Sequence, residues 1–166
     1  MRISRRPAAR DPEDSTARGR VSEPVSMNRA LNLAHRGQGL VEPNPMVGCV
    51  LVRKGRIIGE GFHRRFGGPH AEVEALRSCE VNPRGAIAYV TLEPCCHQGK
   101  TPPCTDALIR AGVARVVVGV RDPNPLVGGR GLQALRRACV QVAVGICQSE
   151  ARALIAPFTP WMTQRR

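Results

Sequence analysis

Apolar positions along the chain change their spacing several times, and each change marks an element. Met27, Ala30, Leu31 and Ala34 share one helical face, with Ser26 as N-cap and Gly37 and Gly39 ending the helix after about Arg36. Val47 to Arg53 reads as a strand, Lys54-Gly55 as a hairpin turn, and Arg56 to Phe62 as the returning strand. His70 opens a short helix to about Ser78, with Val73 and Leu76 as its expected inner side. Ala86 to Leu92 reads as a central strand, and Cys104 begins a helix to about Ala111. Val113 to Val120 is almost unbroken apolar sequence, the pattern of a strand covered on both faces. Leu132 to Ala138 is a helix, Val140 to Val144 a strand, and Ser149 caps a last helix that ends near Pro157. This alternation predicts an α/β fold: a three-layer α/β/α sandwich on a mixed five-stranded sheet, antiparallel in its first hairpin and parallel where helices join the later strands.

Composition narrows the picture. The 166 residues fit one domain with a real core, and no apolar run is long enough to span a bilayer. The formal charge is +12, from 25 Lys+Arg against 13 Asp+Glu. Six arginines against three acids within residues 1–22 put about +3 of that in the N-terminal stretch. Residues 1–25 are expected to be a disordered basic tail, 26–160 the domain, and 161–166 a C-terminal tail. Asp11, Glu13 and Asp14 argue against a transit peptide. Met27 stands where ordered sequence begins, which leaves open whether the tail is an upstream extension of the reading frame. Aromatics make up 3% of the chain, too few for a platform that stacks single-stranded bases, so nucleic acid is not the expected partner. Seven cysteines, an odd number, point to metal ligation and buried thiols in a reducing cytoplasm rather than to a disulfide framework.

The chemistry is concentrated in two segments. One is His70-Ala71-Glu72; the other runs Pro94-Cys95-Cys96-His97-Gln98-Gly99-Lys100-Thr101-Pro102-Pro103-Cys104. His70, Cys95 and Cys104 can serve as three zinc ligands, the number that a catalytic site uses while keeping one position open. His70 and Cys104 each begin a helix directly after a proline, and a helix N-terminus favours thiolate over thiol. Glu72 is read as a proton carrier beside the metal, not a ligand. A closed structural site would instead take His97 or Cys96 as its fourth donor. A purely apolar role for the cysteines is hard to square with the polar residues between them. His-x-Glu followed by Pro-Cys and a second Cys is the signature of zinc-dependent nucleobase deaminases. Pro43-Asn44-Pro45-Met46-Val47-Gly48 is echoed by Pro123-Asn124-Pro125-Leu126-Val127-Gly128, and flanking prolines stiffen the backbone around each asparagine. Such an amide suits either a ligand contact or a plain turn.

These motifs resemble the deaminase domain of bacterial riboflavin biosynthesis, the diaminohydroxyphosphoribosylaminopyrimidine deaminases, over roughly Met27 to Phe158. Eight residues separate Cys95 from Cys104, where common zinc deaminases have two, and the intervening loop is similar to that family's own. Gly59-x-Gly61-x-His63, His70-Ala71-Glu72-Val73 and Asp122-Pro123-Asn124-Pro125 fit as well. The resemblance implies a cytidine-deaminase-like fold, one Zn²⁺ per chain on His70, Cys95 and Cys104, and hydrolytic removal of an amino group with Glu72 as proton shuttle. It also implies a phosphorylated pyrimidine substrate held by Asn44, His63, His97, Lys100, Thr101, Asp122 and Asn124. It further implies a homo-oligomer. The family's deaminase is often fused to a reductase domain, for which 166 residues leave no room, so either a separate reductase protein is expected for the next step or the chain is a fragment. Lys100, in a Gly-Lys-Thr loop beside the metal, suits a phosphate, and both asparagines can donate and accept toward a ring or ribose edge. Cys96 departs from the pattern, since serine is usual there.

Two competing functions are a deaminase acting on tRNA adenosine or a free nucleoside, and a zinc-stabilised nucleic-acid-binding module without catalysis. Cys49, Cys79, Cys139 and Cys147 are expected to be buried thiols. His35 is expected to be a cation at a helix C-terminus. Trp161 is a candidate either to cover an apolar patch or to help an oligomer contact.

Overall fold

The fold is organised by five strands, of which the three inner ones are buried and largely apolar on both faces. A computed structural model describes residues 20–164; residues 1–19 of the expected disordered tail lie outside them, and its last three, Glu23 to Val25, are the first turn of a helix. Strands β1 (Gly48–Arg53), β2 (Arg56–Phe62), β3 (Ile87–Leu92), β4 (Arg115–Val120) and β5 (Gln141–Val144) form one sheet in the order β2-β1-β3-β4-β5. β1 runs antiparallel to β2 and to β3, while β3, β4 and β5 are parallel. β3 is therefore central, as its composition predicts.

Alternation along the strands divides the core in two. Val50, Val52, Tyr89 and Val117 face α1 (Glu23–His35) and α5 (Gln148–Ile155). Cys49, Leu51, Ala88, Val90, Val116 and Val118 face α2 (Ala71–Arg77), α3 (Cys104–Arg110) and α4 (Arg130–Arg137). The three expected layers are present, and each fully buried Val or Leu contributes about 1.5–3 kcal/mol.

Several element ends differ from expectation for identifiable reasons. Ser22, not Ser26, caps α1: its Oγ accepts the Val25 N–H at 3.4 Å, and Glu23-Pro24 forms the first turn, where proline is tolerated. Ser26 is buried and its hydroxyl donates to the Ser22 carbonyl at 2.9 Å. Val73 and Leu76 are only half-buried; α2 turns Ala71, Glu72 and Ala75 inward. The cause is backbone contact with β2, since a Cβ on Gly61 would lie 2.3 Å from the Ala75 nitrogen. Ser149 lies inside α5, which starts from Cys147 in the left-handed region (φ 52°). The expected C-terminal tail is largely helical: a short 3₁₀ turn at Ala156–Phe158 leads into α6 (Thr159–Gln164), which buries Met162 and leaves Trp161 exposed. Of the four cysteines expected to be buried, Cys49 is, Cys79 and Cys147 are half-buried, and Cys139 is exposed in the loop after α4. Among the described residues no helix is long and apolar enough to cross a membrane.

The pairing gathers four loops at one end of the sheet. β1 begins there and β2, β3 and β4 end there, as the pairs Gly48↔Phe62, Cys49↔Val90 and Leu92↔Val120 require. The Thr91 hydroxyl accepts the Gly48 N–H at 3.1 Å and the Glu93 N–H donates to the Val120 carbonyl at 3.0 Å, which fixes those ends together. In open α/β sheets the carboxyl ends of parallel strands are where ligands bind.

Candidate active site

Two short helices aim their first turns at one point. His70 is the N-cap of α2 and its own side chain makes no capping bond; Cys104 opens α3 directly after Pro103. The His70 Nδ1 lies 3.2 Å from Cys104 Sγ and 3.6 Å from Cys95 Sγ. The Cys104 backbone N–H donates to Cys95 Sγ at 3.3 Å, and the Thr105 N–H donates to the Cys95 carbonyl at 3.1 Å, so the loop after β3 is pinned onto α3. All three ligand atoms lie within 4.8 Å of one another. Tetrahedral zinc with ordinary Zn–S and Zn–N bonds separates such donors by roughly 3.6–3.8 Å, so the set fits zinc. Among the described residues, neither Cys96 nor His97 joins the cluster, which favours three protein ligands over the closed four-donor alternative.

Charge in the cluster is shared. The Cys95 thiol is held down to about 4, first by its hydrogen bond with Cys104 and then by His70. Cys104 is pushed well up, first by that same bond and then by burial. The two sulfurs thus share one proton, which a metal would displace. The hydrogen bond with Cys95 raises His70, against its burial. Glu72 is 3% exposed; burial pushes its carboxyl up, and the neighbouring Cys95 adds to this.

A cavity of about 650 Å³ opens beside these groups. Glu72, His70 and Cys95 line it, and so do Asn44, His63, His97, Lys100, Thr101, Asp122 and Asn124. The expected substrate residues therefore meet on one cavity, although they come from four loops. Asn44 enters before β1 and Asn124 after β4, so the echoed Pro-Asn-Pro segments both contribute to it. His63, 3% exposed, is engaged at both ring nitrogens: Nδ1–H donates to the Pro69 carbonyl at 3.0 Å, which leaves Nε2 to accept from Asn44 Nδ2 at 3.3 Å. Burial lowers its pKa, and the nearby His70 adds to this. Asp122 Oδ1 accepts the Asn124 N–H at 2.8 Å, and Asn124 Oδ1 accepts the Leu126 N–H at 2.9 Å. Burial raises the Asp122 carboxyl, against that Asn124 bond.

The Lys100 ammonium lies 4.9 Å from the Phe66 ring centroid, joining the loop after β2 to the loop after β3 at the cavity edge. Phe66, Arg130, Met162 and Glu93 also line the cavity and were not predicted. Glu93 had a visible signal: an acid at the end of an apolar strand, directly before Pro94-Cys95, is an uncommon placement. Met162 had none, since its contact depends on how the C-terminal helix folds back.

Residues 22–120 match the family described as the cytidine and deoxycytidylate deaminase zinc-binding region. The riboflavin biosynthesis protein RibD of Escherichia coli (strain K12) is 59% identical over 132 residues, covering 80% of this chain and 36% of that protein. Among solved structures, Acinetobacter baumannii RibD (form 1) superposes with a TM-score of 0.82 at 50% identity, over 86% of this chain and 40% of that one. A Thermotoga maritima diaminohydroxyphosphoribosylaminopyrimidine deaminase/5-amino-6-(5-phosphoribosylamino)uracil reductase superposes with a TM-score of 0.81 at 48% identity, over 87% of this chain and 42% of that one. The chain thus spans well under half the length of these relatives.

Proposed function

The chain belongs to the zinc-binding cytidine and deoxycytidylate deaminase family, and we propose that it removes an amino group from 2,5-diamino-6-(5-phosphoribosylamino)pyrimidin-4(3H)-one by hydrolysis, in riboflavin biosynthesis. One observation carries this choice of substrate: Lys100, in the long loop between Cys95 and Cys104, lines the same cavity as Glu72 and the metal donors His70 and Cys95. An ammonium in that lining, at the cavity edge beside Phe66, suits a phosphate on the substrate.

His70, Cys95 and Cys104 would hold the zinc, which would supply Lewis acidity and a lowered pKa for water. Glu72 does the proton work. Its buried carboxylate takes one proton as the water oxygen bonds to the ring carbon, and passes it to the adjacent ring nitrogen. It then takes the second proton from that oxygen, which becomes the carbonyl, and delivers it to the departing amine. The exocyclic C–N bond breaks and ammonia leaves. Burial holds Glu72 closer to neutrality than an exposed acid, which suits a group that both accepts and donates. His63 orients the Asn44 amide by using its own Nε2 as acceptor, and Asn124 meets the substrate from the opposite loop. Asp122, His97 and Thr101 complete the polar lining.

The Thermotoga maritima relative is named for a deaminase and a reductase. By this reading the chain supplies the deaminase step, and it acts as a homo-oligomer. The test offers zinc-loaded protein the pyrimidinone phosphate, cytidine, dCMP and a tRNA stem-loop, and follows ammonia. Release from the pyrimidinone phosphate alone is expected. Release from the stem-loop, with none from the pyrimidinone, overturns the reading.

A further inference from the structure

Glu93 is the second buried acid in the cavity wall, and its carboxylate is fully occupied by backbone. Oε1 accepts the N–H groups of Gly129 at 2.8 Å, Gly131 at 3.0 Å and Leu132 at 3.4 Å. Oε2 accepts from Asp122 at 3.1 Å and Gly129 at 2.9 Å. With its lone pairs committed in this way, Glu93 is not a second proton carrier beside Glu72.

The donors lie at both ends of one loop. Asp122 opens the segment that carries Asn124, and Gly129 closes it as the N-cap of α4, at φ 88° and without any side-chain cap of its own. Within the loop, the Asp122 carboxylate and the Asn124 carbonyl and amide oxygens hold the backbone of residues 124–128. The loop is therefore a closed unit with two anchors, and one carboxylate holds both. The contact is also close: a Cβ on Gly131 would fall 2.1 Å from the Pro94 carbonyl oxygen and 3.2 Å from Glu93 Oε1. Glu93 is separated from the metal donor Cys95 only by Pro94.

We propose that Glu93 is a positioning residue for substrate, clamping the Asp122–Gly129 loop at a fixed distance from the metal donors so that Asp122 and Asn124 meet the substrate in register. This rests on the substrate roles given above to Asp122 and Asn124. Glutamine at position 93 tests the clamp sharply. In either amide orientation its NH₂ faces backbone N–H groups that need an acceptor, so half of the clamp is lost while shape is kept.

The experiment compares wild type, Glu93→Gln, Asn124→Ala and the double variant, each checked for one zinc per chain. Loss of charge-assisted hydrogen bonds predicts a KM for the pyrimidinone phosphate raised about tenfold or more, with kcat within about threefold. In the Asn124→Ala background the same change should raise KM less than about twofold, because both variants act through one loop. Amide hydrogen exchange should show lost protection at Asp122, Gly129, Gly131 and Leu132, with β1 and β3 unchanged. An unchanged KM with lowered thermal stability reduces Glu93 to a structural cap and overturns the proposal, as do KM effects that multiply independently. If wild type releases no ammonia from this substrate, the substrate reading fails. Hydrogen exchange then decides the clamp, and unchanged protection at those four amides overturns it.

Discussion

The Nδ1 atom of His70 stands 3.2 Å from Sγ of Cys104, across thirty-four residues of sequence. Each sits at the start of its own helix, and α2 and α3 pack on the same face of the sheet. Cys95 completes the cluster and Cys96 does not. Cys95→Ser and Cys104→Ser should therefore bind substoichiometric zinc, whereas Cys96→Ser should keep one zinc per chain. Metal analysis after gel filtration reads this directly. Chelation should lower the melting temperature and zinc should restore it, with a linkage of about 2.7 kcal/mol when free zinc is a hundred times its Kd.

Gly61 sets the depth of α2. A Cβ there would lie 2.3 Å from the Ala75 nitrogen and 2.4 Å from the Ala71 carbonyl oxygen, both backbone atoms. Gly61→Ala must push the helix outward, at about 1–3 kcal/mol. His70 and Glu72 ride on that helix, so zinc affinity should fall along with the denaturation midpoint. A midpoint unchanged from wild type would contradict this packing account.

Lys100 is exposed and sits against Phe66 at the cavity edge. Lys100→Ala should raise KM for the phosphorylated substrate about 10- to 100-fold, the value of a hydrogen bond between charged groups. A dephosphorylated analogue should lose little. Equal losses on both compounds would remove the phosphate role.

Arg29 on α1 holds Glu60 on the edge strand β2 through two hydrogen bonds, at 2.7 and 2.9 Å. That bonding lowers the Glu60 pKa, against partial burial. A folded value below the unfolded value of about 4.3 stabilises the protein fully above that pH, and the gain is lost as pH falls through the folded value. The pair is solvent-screened, so Glu60→Gln should cost less than about 1 kcal/mol at neutral pH and less again near pH 3. Urea melts at the two pH values provide the comparison.

Strand positions were legible because apolar alternation and the Lys54-Gly55 turn are local signals, and β2 spans the expected Arg56–Phe62. Helix starts were less legible where the cap comes from elsewhere. α4 begins at Arg130, two residues before its expected start, because Glu93 from another segment caps it. α2 buries alanines instead of Val73 and Leu76 because glycines on β2 bring the backbones together, a constraint that no helical periodicity carries.

The metal donors could be read from residue type and spacing alone, since few residues bind zinc. The cavity could not. His63 bonds Asn44 across 19 positions, and Phe66 meets Lys100 only because the loops after β2 and β3 leave the same end of the sheet. The antiparallel pairing of β1 with β3 creates that meeting, and it follows from sheet order rather than from any local pattern.

The central claim is that a three-donor zinc site works with a buried Glu72 to release ammonia. The direct measurement is ammonia formed from the pyrimidinone phosphate by wild type and by Glu72→Gln at equal zinc content. Loss of a general acid–base group predicts full zinc occupancy in the variant and a turnover rate lower by about 10²–10⁴-fold. A variant that holds its zinc and turns over at the wild-type rate would contradict the account.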